Sequence, residues 1–342
     1  MSRVKIVLYT ISLLVVSFLV IKHELVYYGY VQAKGQLKII INAKPVQEIM
    51  EDPLSPDSLK TKLKLIEDVK RFAIEELGLK GEKNYTTYYD QQGKDLMWVV
   101  SACKPFELEA YKWGFPVLGS FSYKGFFRYD MAEKERDKLR KKGYDANIRT
   151  AGGWSTLGIL KDPVLSNMLD RNVGSLADLI IHELTHGTIF LKDSLEFNEN
   201  LATFIGNEGA RLFLLDKYGY SSSELESFNL RINDRKIFTA YVLEGADRLD
   251  SLYYVFPSDM PHESKLELKH KTIEEFMAGS RNLPLHNKVY KDFFNDFTPD
   301  NTFFMSYLRY RGGQAVFEDT LRNEYNGNLA AYIGDLKTKF GR

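Results

Sequence analysis

Apolar residues recur every three to four positions through two long parts of the chain, which places them on one face of an α-helix. The first part starts at Ser55 and Pro56, because serine can cap a helix and proline suits its first position. It ends at Gly78 and contains Leu59, Leu63, Ile66, Phe72, Ala73 and Leu77. The second part extends from Ser175 to the C-terminus. A further helix is predicted over residues 24–50.

Between residues 85 and 157 the pattern changes to short apolar runs separated by turns, which is typical of β-strands. Strands are predicted at 96–100, 121–129 and 145–149, and a charged helix at 131–142. Strands followed by a run of helices favour an α+β fold over an alternating βαβ fold. We therefore expect an α+β domain with a small mixed sheet and a mainly helical C-terminal half.

The N-terminus contains an apolar run, residues 6–21, preceded by Arg3 and Lys5. A spanning helix needs roughly 20 apolar residues, and this run is close to that length. No small-residue cleavage site follows it, and no cysteine there can carry a lipid, so an uncleaved signal anchor is predicted. The basic N-terminus would stay in the cytoplasm, which places the rest of the chain outside the cytoplasmic membrane. A buried core helix is the alternative interpretation.

The charge balance and the cysteine content argue against several classes of function. Lys+Arg and Asp+Glu both number 46, so the formal net charge is zero. This balance does not support nucleic-acid binding or a polybasic membrane patch. The single cysteine, Cys103, excludes an intramolecular disulfide and a cysteine metal cluster. It follows an apolar run and is predicted to be a small buried residue.

The motif with the clearest chemistry is H-E-x-x-H, formed by His182, Glu183 and His186. Ser175 and Asp178 resemble a capping box, so a helix is predicted to begin there. On a helix, residues four apart lie one turn apart on one face, and both imidazoles can bind one ion. Glu183 is rotated about 100° from His182 and can act on a water molecule at the metal.

A third ligand is predicted at Glu199, on a second helix. In that helix Glu199 shares one side with small residues, Ala202, Thr203, Gly206, Gly209 and Ala210. A face of small residues lets one helix approach another closely, and the glutamate needs this to reach the histidines. Glu196 and Asp193 remain alternative ligands, whereas Glu208 falls near the opposite face. A solvated acid in the first helical turn is the alternative interpretation of Glu199.

Two histidines, one carboxylate and an open position are the ligand set of a catalytic zinc site. The ion would activate a water molecule and polarise the scissile carbonyl, with Glu183 as general base. One zinc ion per chain is the default, although cobalt or manganese also fit. Two other functions stay open: a non-catalytic envelope scaffold that keeps the fold, and a zinc hydrolase of non-peptide amides.

Several sequence blocks resemble a bacterial family of putative aminopeptidases in the glutamate-zincin group. The similarity covers most of the chain after the N-terminal run and rests on residues 30–37, 72–79, 115–127, 155–166, 182–186 and 197–199. It implies zinc at His182, His186 and Glu199 and a base at Glu183. Many members begin with a lipoprotein cysteine, which is absent here. No amine-binding motif with glycine and glutamate precedes His182, so endopeptidase activity stays open.

Other roles have weaker support in the sequence. Tyr307 is predicted to donate a hydrogen bond to the oxyanion, with Tyr310 and Asn301 as neighbouring candidates. Aromatic residues at helical spacing in a core are the alternative. A strand at 154–158 or 119–123 is predicted to pair with the substrate backbone.

Three segments are predicted from these features. They are a signal anchor or transmembrane helix at 1–25, a helical segment at 26–80 packed on the catalytic domain, and a zinc metallopeptidase domain at 81–342. The expected partners are a peptide or protein substrate and the membrane, through the N-terminal helix.

Overall fold

The computed structural model describes Lys5 and residues 21–81, 83–115, 119–151, 161–192, 194–308 and 314–341. Its α-helices are α1 (His23–Asn42), α2 (Val46–Glu51), α3 (Asp57–Glu75), α4 (Tyr129–Arg140), α5 (Val173–Thr188), α6 (Leu195–Tyr218), α7 (Ser223–Tyr254), α8 (His262–Ser280), α9 (Lys288–Lys291), α10 (Asn301–Leu308), α11 (Gln314–Tyr325) and α12 (Leu329–Phe340). Its strands are β1 (Lys44–Pro45), β2 (Thr87–Tyr89), β3 (Trp98–Cys103), β4 (Trp113–Phe115), β5 (Gly119–Phe121), β6 (Tyr123–Phe126), β7 (Asp145–Thr150) and β8 (Val164–Leu165). The predicted α+β class is confirmed.

The strands form three small sheets in place of the one small mixed sheet that was predicted. The three predicted strands correspond to β3, β6 and β7, which form an antiparallel sheet with β3 in the middle. Trp98 of β3 lies opposite Phe126 of β6 and Thr150 of β7. A second sheet has the order β1-β2-β8 and includes the parallel pair β2–β8, and β4 pairs with β5. The division arises because most of these strands are only two to four residues long.

The helix predicted at 55–78 is present, but its start differs. Pro56 is the N-cap of α3, and the first helical residue is Asp57. The hydroxyl of Ser55 contacts Asp52 Oδ2 at 3.3 Å instead of capping the helix. The helix predicted over 24–50 is divided at Pro45, where the chain takes an extended conformation in β1.

The largest hydrophobic core surrounds the pair α5–α6. Helix α3, strands β2 and β8, and helices α11 and α12 pack around that pair, contributing for example Val69, Leu165, Ile180, Ile205 and Ile333. A second core is rich in phenylalanine and joins α7, α8 and α10, and a third lies between α4 and the antiparallel sheet. The helices α5 and α6, which contain the predicted metal ligands, therefore lie within the largest core.

In the part of the chain that the structure describes, no helix combines the length and apolar character needed to cross a membrane. Of the predicted membrane run at 6–21, only Ile21 is among the described residues.

Candidate metal site

Helix α5 brings the two histidines of the H-E-x-x-H motif into one core. Its N-cap is Asn172, whose side-chain oxygen accepts a hydrogen bond from the Ser175 N–H at 2.8 Å. The predicted capping box of Ser175 and Asp178 is therefore wrong. Asp178 instead forms an ion pair with Arg231 of α7, with Oδ2 and Nη2 3.0 Å apart. Because Asp178 is paired with an arginine of α7, its side chain does not cap α5.

Helices α5 and α6 approach each other closely at two glycines. A Cβ atom on Gly206 would lie 2.8 Å from Asp178 Oδ1 and 3.2 Å from His182 Cβ. On Gly209 it would lie 3.0 Å from Ile181 Cγ2. Such contacts are shorter than ordinary van der Waals contacts, so a larger side chain would push the helices apart. This confirms the prediction that small residues on α6 face the histidine helix.

The close approach places Glu199 beside both histidines. His182 Nε2 and His186 Nε2 are 3.1 Å apart. Glu199 Oε1 lies 3.5 Å from His186 Nε2, and Glu199 Oε2 lies 3.9 Å from His182 Nε2. Ligands on a tetrahedral zinc ion with bonds near 2.0 Å are separated by about 3.3 Å. The three donor atoms lie within 4.8 Å of one another, and the group can hold a metal ion.

The alternative third ligands are not part of this group. Glu196 lies in the first turn of α6 and is exposed to solvent. Asp193 lies outside the described residues. Glu208 forms an ion pair with Arg211 at 3.1 Å. The His182, His186 and Glu199 side chains, hereafter the triad, thus match the set of ligands predicted from sequence.

The neutral form of His182, which is the form that binds a metal, is favoured by its surroundings. Burial lowers the pKa of His182 to about 3, and the neighbouring His186 and Arg235 add to this effect. A neutral imidazole keeps a nitrogen lone pair, and metal ligands bind in that form. The side chain of His186 is 5% exposed, against 20% for His182 and 26% for Glu199. An ion and its substrate would therefore approach from the side of His182 and Glu199.

Asn198 fixes the start of α6, a role that the sequence did not reveal. Its amide oxygen accepts from the Leu191 N–H at 2.8 Å, and its amide nitrogen donates to the Leu191 carbonyl at 2.8 Å. The side chain is 3% exposed. This pair of bonds connects the loop after α5 to the residue that precedes Glu199. The adjacent Asn-Glu in the sequence is compatible with such a role but does not specify it.

Glu183, the predicted base, is half-buried on α5 next to His182. The Glu183 carboxylate interacts electrostatically with the phenol of Tyr85. Burial, and then the carboxylates of Glu183 and Asp162, raise the pKa of the Tyr85 phenol well above its usual value. Tyr85 is 6% exposed and has a positive φ of 57°, and its N–H donates to the Asp162 carbonyl at 2.7 Å. No pattern in the sequence indicates that Tyr85 lies near Glu183.

The predicted oxyanion donors are not all in suitable positions. The side chain of Asn301 is buried and fully engaged: it accepts from the Tyr253 hydroxyl at 2.7 Å and donates to the Lys104 and Pro105 carbonyls. The proposed catalytic role of Asn301 is therefore wrong. Tyr307 packs against Phe303, with ring centroids 5.2 Å apart. Tyr310 lies outside the described residues.

The other sequence-based predictions have mixed outcomes. Cys103 is fully buried, as predicted, and burial raises the pKa of its thiol to about 12. Residues 154–158, one candidate for pairing with substrate, lie outside the described residues. In the other candidate, 119–123, β5 pairs with β4, and Tyr123 pairs with Ser101 of β3.

A cavity of about 580 Å³ is lined in part by Thr203, which follows Glu199 by four residues on α6. It is hereafter the lateral cavity, and its lining comprises Arg149, Thr203, Arg235, Lys236, Phe238, Thr239, Ala240, Leu243, Tyr290, Ser306, Tyr307, Gln314, Ala315 and Glu318. The residues come from β7, α6, α7, α9, α10 and α11. The sequence did not reveal this site, because its lining residues are distant from one another along the chain.

Comparison with known proteins identifies one family. The family model described as "Putative aminopeptidase" matches residues 27–339, nearly the whole described chain. No curated protein and no solved structure matches the chain.

Proposed function

The chain belongs to the putative aminopeptidase family, and from that premise we propose that it hydrolyses peptide bonds with one zinc ion. The observation that supports this proposal most strongly is the triad, whose three donor atoms lie within 4.8 Å of one another. Imidazole and carboxylate donors suit zinc, and three protein ligands leave a position open for water or substrate. A structural zinc site would instead be closed by a fourth protein ligand.

The ion, Glu183 and Tyr307 would have separate roles in the reaction. His182, His186 and Glu199 would hold the zinc ion, which would supply the Lewis acidity that polarises a carbonyl group and lowers the pKa of water. Glu183 follows His182 on α5, where its carboxylate takes a proton from the attacking water and later gives it to the leaving amine. Tyr307 lines the lateral cavity, from which its hydroxyl would donate to the oxyanion. The N-terminal run would anchor the chain in the cytoplasmic membrane with these residues on the outer side.

The first experiment is metal analysis of the purified full-length chain and its variants. Wild type should contain about one zinc ion per chain, and His182→Ala and Glu199→Ala should lose it, because two ligands hold zinc poorly. Glu196→Ala is the matched control, since this exposed acid lies one turn before Glu199 on the same helix. Retention of zinc by folded Glu199→Ala, or absence of zinc from wild type after reloading, would contradict the assignment.

The second experiment tests the chemistry separately from binding. Wild type is incubated with a peptide mixture, and new termini are identified by mass spectrometry. Glu183→Gln should keep its zinc but lose about 10²–10⁴-fold in rate, which is the usual contribution of a general base. Equal rates in wild type and Glu183→Gln would exclude Glu183 as the base. Tyr307→Phe should lower kcat with little change in KM if the hydroxyl acts on the oxyanion.

A further inference from the structure

The lateral cavity begins one helical turn from a metal ligand. Thr203, in its lining, follows Glu199 by four residues on α6, and residues so spaced have Cβ atoms about 6 Å apart. Arg235, also in the lining, donates a hydrogen bond to Asn207 of the same helix. A peptide bound over the triad would therefore extend into this cavity.

The charges that line the cavity are mainly positive. The described lining contains three cationic side chains, Arg149, Arg235 and Lys236, and one carboxylate, Glu318. Glu318 is already paired with Lys236 at 2.6 Å. Asp178 lies 3.6 Å from Arg235, but it is shared with Arg231, which is closer at 3.0 Å. One negative charge between two guanidinium groups leaves a net positive charge beside the cavity.

The rest of the lining combines polar side chains, Thr203, Thr239, Ser306 and Gln314, with an apolar and aromatic surface. Phe238, Tyr290, Tyr307 and Leu243 provide this surface. The volume of about 580 Å³ lies within the range that holds small organic groups, and binding sites often combine apolar walls with a few charged groups. Such a cavity suits a short apolar stem that ends in an anion.

We propose that the lateral cavity binds a carboxylate of the peptide substrate, held by Arg149 and Arg235 one or two residues from the bond that is cut. This inference rests on the proposed function. A guanidinium group matches the planar geometry of a carboxylate with paired N–H donors. The lining residue Thr203 is one helical turn from Glu199, and an extended chain advances about 3.3–3.6 Å per residue, so a substrate group beside Thr203 is one or two residues from the bond that is cut. The carboxylate is either the chain terminus or an Asp or Glu side chain.

The same charges disfavour a free amino terminus in this cavity. An ammonium group near Arg149 and Arg235 would be repelled, and like charges in close contact cost binding energy. An enzyme that uses this cavity would bind an acidic group of the substrate in preference to its amino group.

The test measures binding, so that it does not depend on turnover. The protein is the full chain with Glu183→Gln, and the probes are fluorescently labelled alanine hexapeptides. One pair differs only in a central Glu or Gln, and a second pair differs only in a free or amidated C-terminus. We expect the carboxylate member of at least one pair to bind about tenfold or more tightly, because a charged hydrogen bond contributes that much. The pair that responds identifies the source of the carboxylate.

Variants of the cavity then assign the preference to its residues. Adding Arg149→Gln should bring the affinity ratio close to one, and Arg149→Glu should favour peptides with Lys in place of Glu. Arg149 is exposed, so both substitutions are compatible with folding. Arg281→Gln, an identical substitution at an exposed position after α8, should leave the ratio unchanged. The ratio should also persist after zinc is removed with a chelator.

Two results would overturn this proposal. Equal affinity within both pairs would show that the cavity does not recognise a carboxylate. A preference that disappears with zinc removal but survives Arg149→Gln would place the carboxylate on the ion itself. Failure of wild type to cleave any peptide would contradict the proposed function, whereas the affinity ratio would still decide the role of the cavity.

Discussion

Asn198, which directly precedes Glu199, makes two hydrogen bonds to one backbone residue. Both the N–H and the carbonyl of Leu191 are satisfied by its side chain, at 2.8 Å each. A residue that supports a metal ligand commonly changes metal affinity by 10–100-fold when it is replaced. Asn198 directly precedes Glu199, so we expect it to act as a positioning residue for the triad, although no described bond joins it to the triad.

The substitution Asn198→Asp tests this role because it replaces only the amide nitrogen, which is the donor, with an oxygen. The carboxylate can still accept from the Leu191 N–H, but no donor remains for the Leu191 carbonyl. We expect the free energy of unfolding to fall by about 1–3 kcal/mol and zinc affinity to fall by about tenfold. Chemical denaturation and a competitive zinc titration measure the two effects. Asn282→Asp, the same change at an exposed turn, should alter neither, and unchanged zinc affinity in Asn198→Asp would exclude the positioning role.

The sequence predicts the members of the triad better than it predicts the partners of other polar residues. His182 and His186 are four apart on one helix, so local spacing alone places both on the same face. Glu199 could be ranked above Glu196 because the small residues around it share its face. Asn301 was misassigned because a buried amide that bonds to distant carbonyls has the same local pattern as a catalytic amide. Local spacing carries no information about such long-range partners.

At the scale of elements, the contact between α5 and α6 determines the geometry of the triad. Gly206→Ala adds a methyl group 3.0 Å from the Asp178 carbonyl oxygen and 3.2 Å from His182 Cβ. Overpacking of a tight contact costs about 1–3 kcal/mol, and the helices must separate by a few tenths of an ångström. We expect lower stability and weaker zinc binding, measured by thermal unfolding with and without zinc.

A matched control for that substitution exists in α12. Gly334 is exposed, and a Cβ atom there would meet no other atom within 4 Å. Gly334→Ala should therefore increase stability by up to about 1 kcal/mol, because alanine is the better helix former. A neutral or stabilising effect of Gly206→Ala would show that the two helices are free to adjust, contrary to the contact distances.

A second element-scale prediction concerns Asp234, which joins α7 to the segment before α9. Its carboxylate accepts from the backbone N–H groups of His286 at 2.9 Å and of Asn287 at 2.5 Å. Burial alone would raise the pKa of Asp234, but the hydrogen bonds from His286 and Asn287 outweigh it, and the pKa lies below its usual value. The charged form is therefore the one that stabilises the folded chain.

The sign of the pH dependence follows from this lowered pKa. The stabilisation is fully present above the pKa of an unfolded Asp, about 3.9, and is lost as pH falls through the folded pKa. The difference in unfolding midpoint between wild type and Asp234→Asn should be greatest near neutral pH and shrink below about pH 4. Asp259→Asn, at an exposed position, should show no such pH-dependent difference. A constant difference down to strongly acidic pH would contradict the assigned pKa direction.

Element boundaries were harder to predict than element types. The start of α5 was placed at Ser175 because serine followed by an acid resembles a capping box, but Asn172 provides the cap. Asp178 was unavailable because Arg231, more than fifty residues away, engages it. Strand β3 was found because its apolar run is long, whereas β1 and β8, of two residues each, have no pattern of their own.

At the scale of the molecule, separate cores are joined by polar contacts that the sequence does not display. Lys269 of α8 is 2% exposed, and its ammonium group donates to Asp145 Oδ2 at 2.5 Å and to the Pro105 carbonyl at 3.0 Å. The same carboxylate oxygen accepts from the Asn301 N–H at 2.9 Å. These contacts join the aromatic core of α8 and α10 to the antiparallel sheet. Hydrophobic periodicity predicts each core separately but not the residues that connect them.

Lys269→Ala tests whether this buried contact holds the two parts together. Removing one partner of a buried ion pair costs about 3–5 kcal/mol, because the remaining charge is desolvated and uncompensated. The free energy of unfolding from urea titration should fall by that amount. Lys271→Ala, at an exposed position two residues along α8, should change it by less than about 0.5 kcal/mol. In the double variant with Asp145→Asn, the loss should be smaller than the sum of the single losses, since neither charge is then left alone. Strict additivity would show that Lys269 and Asp145 contribute independently.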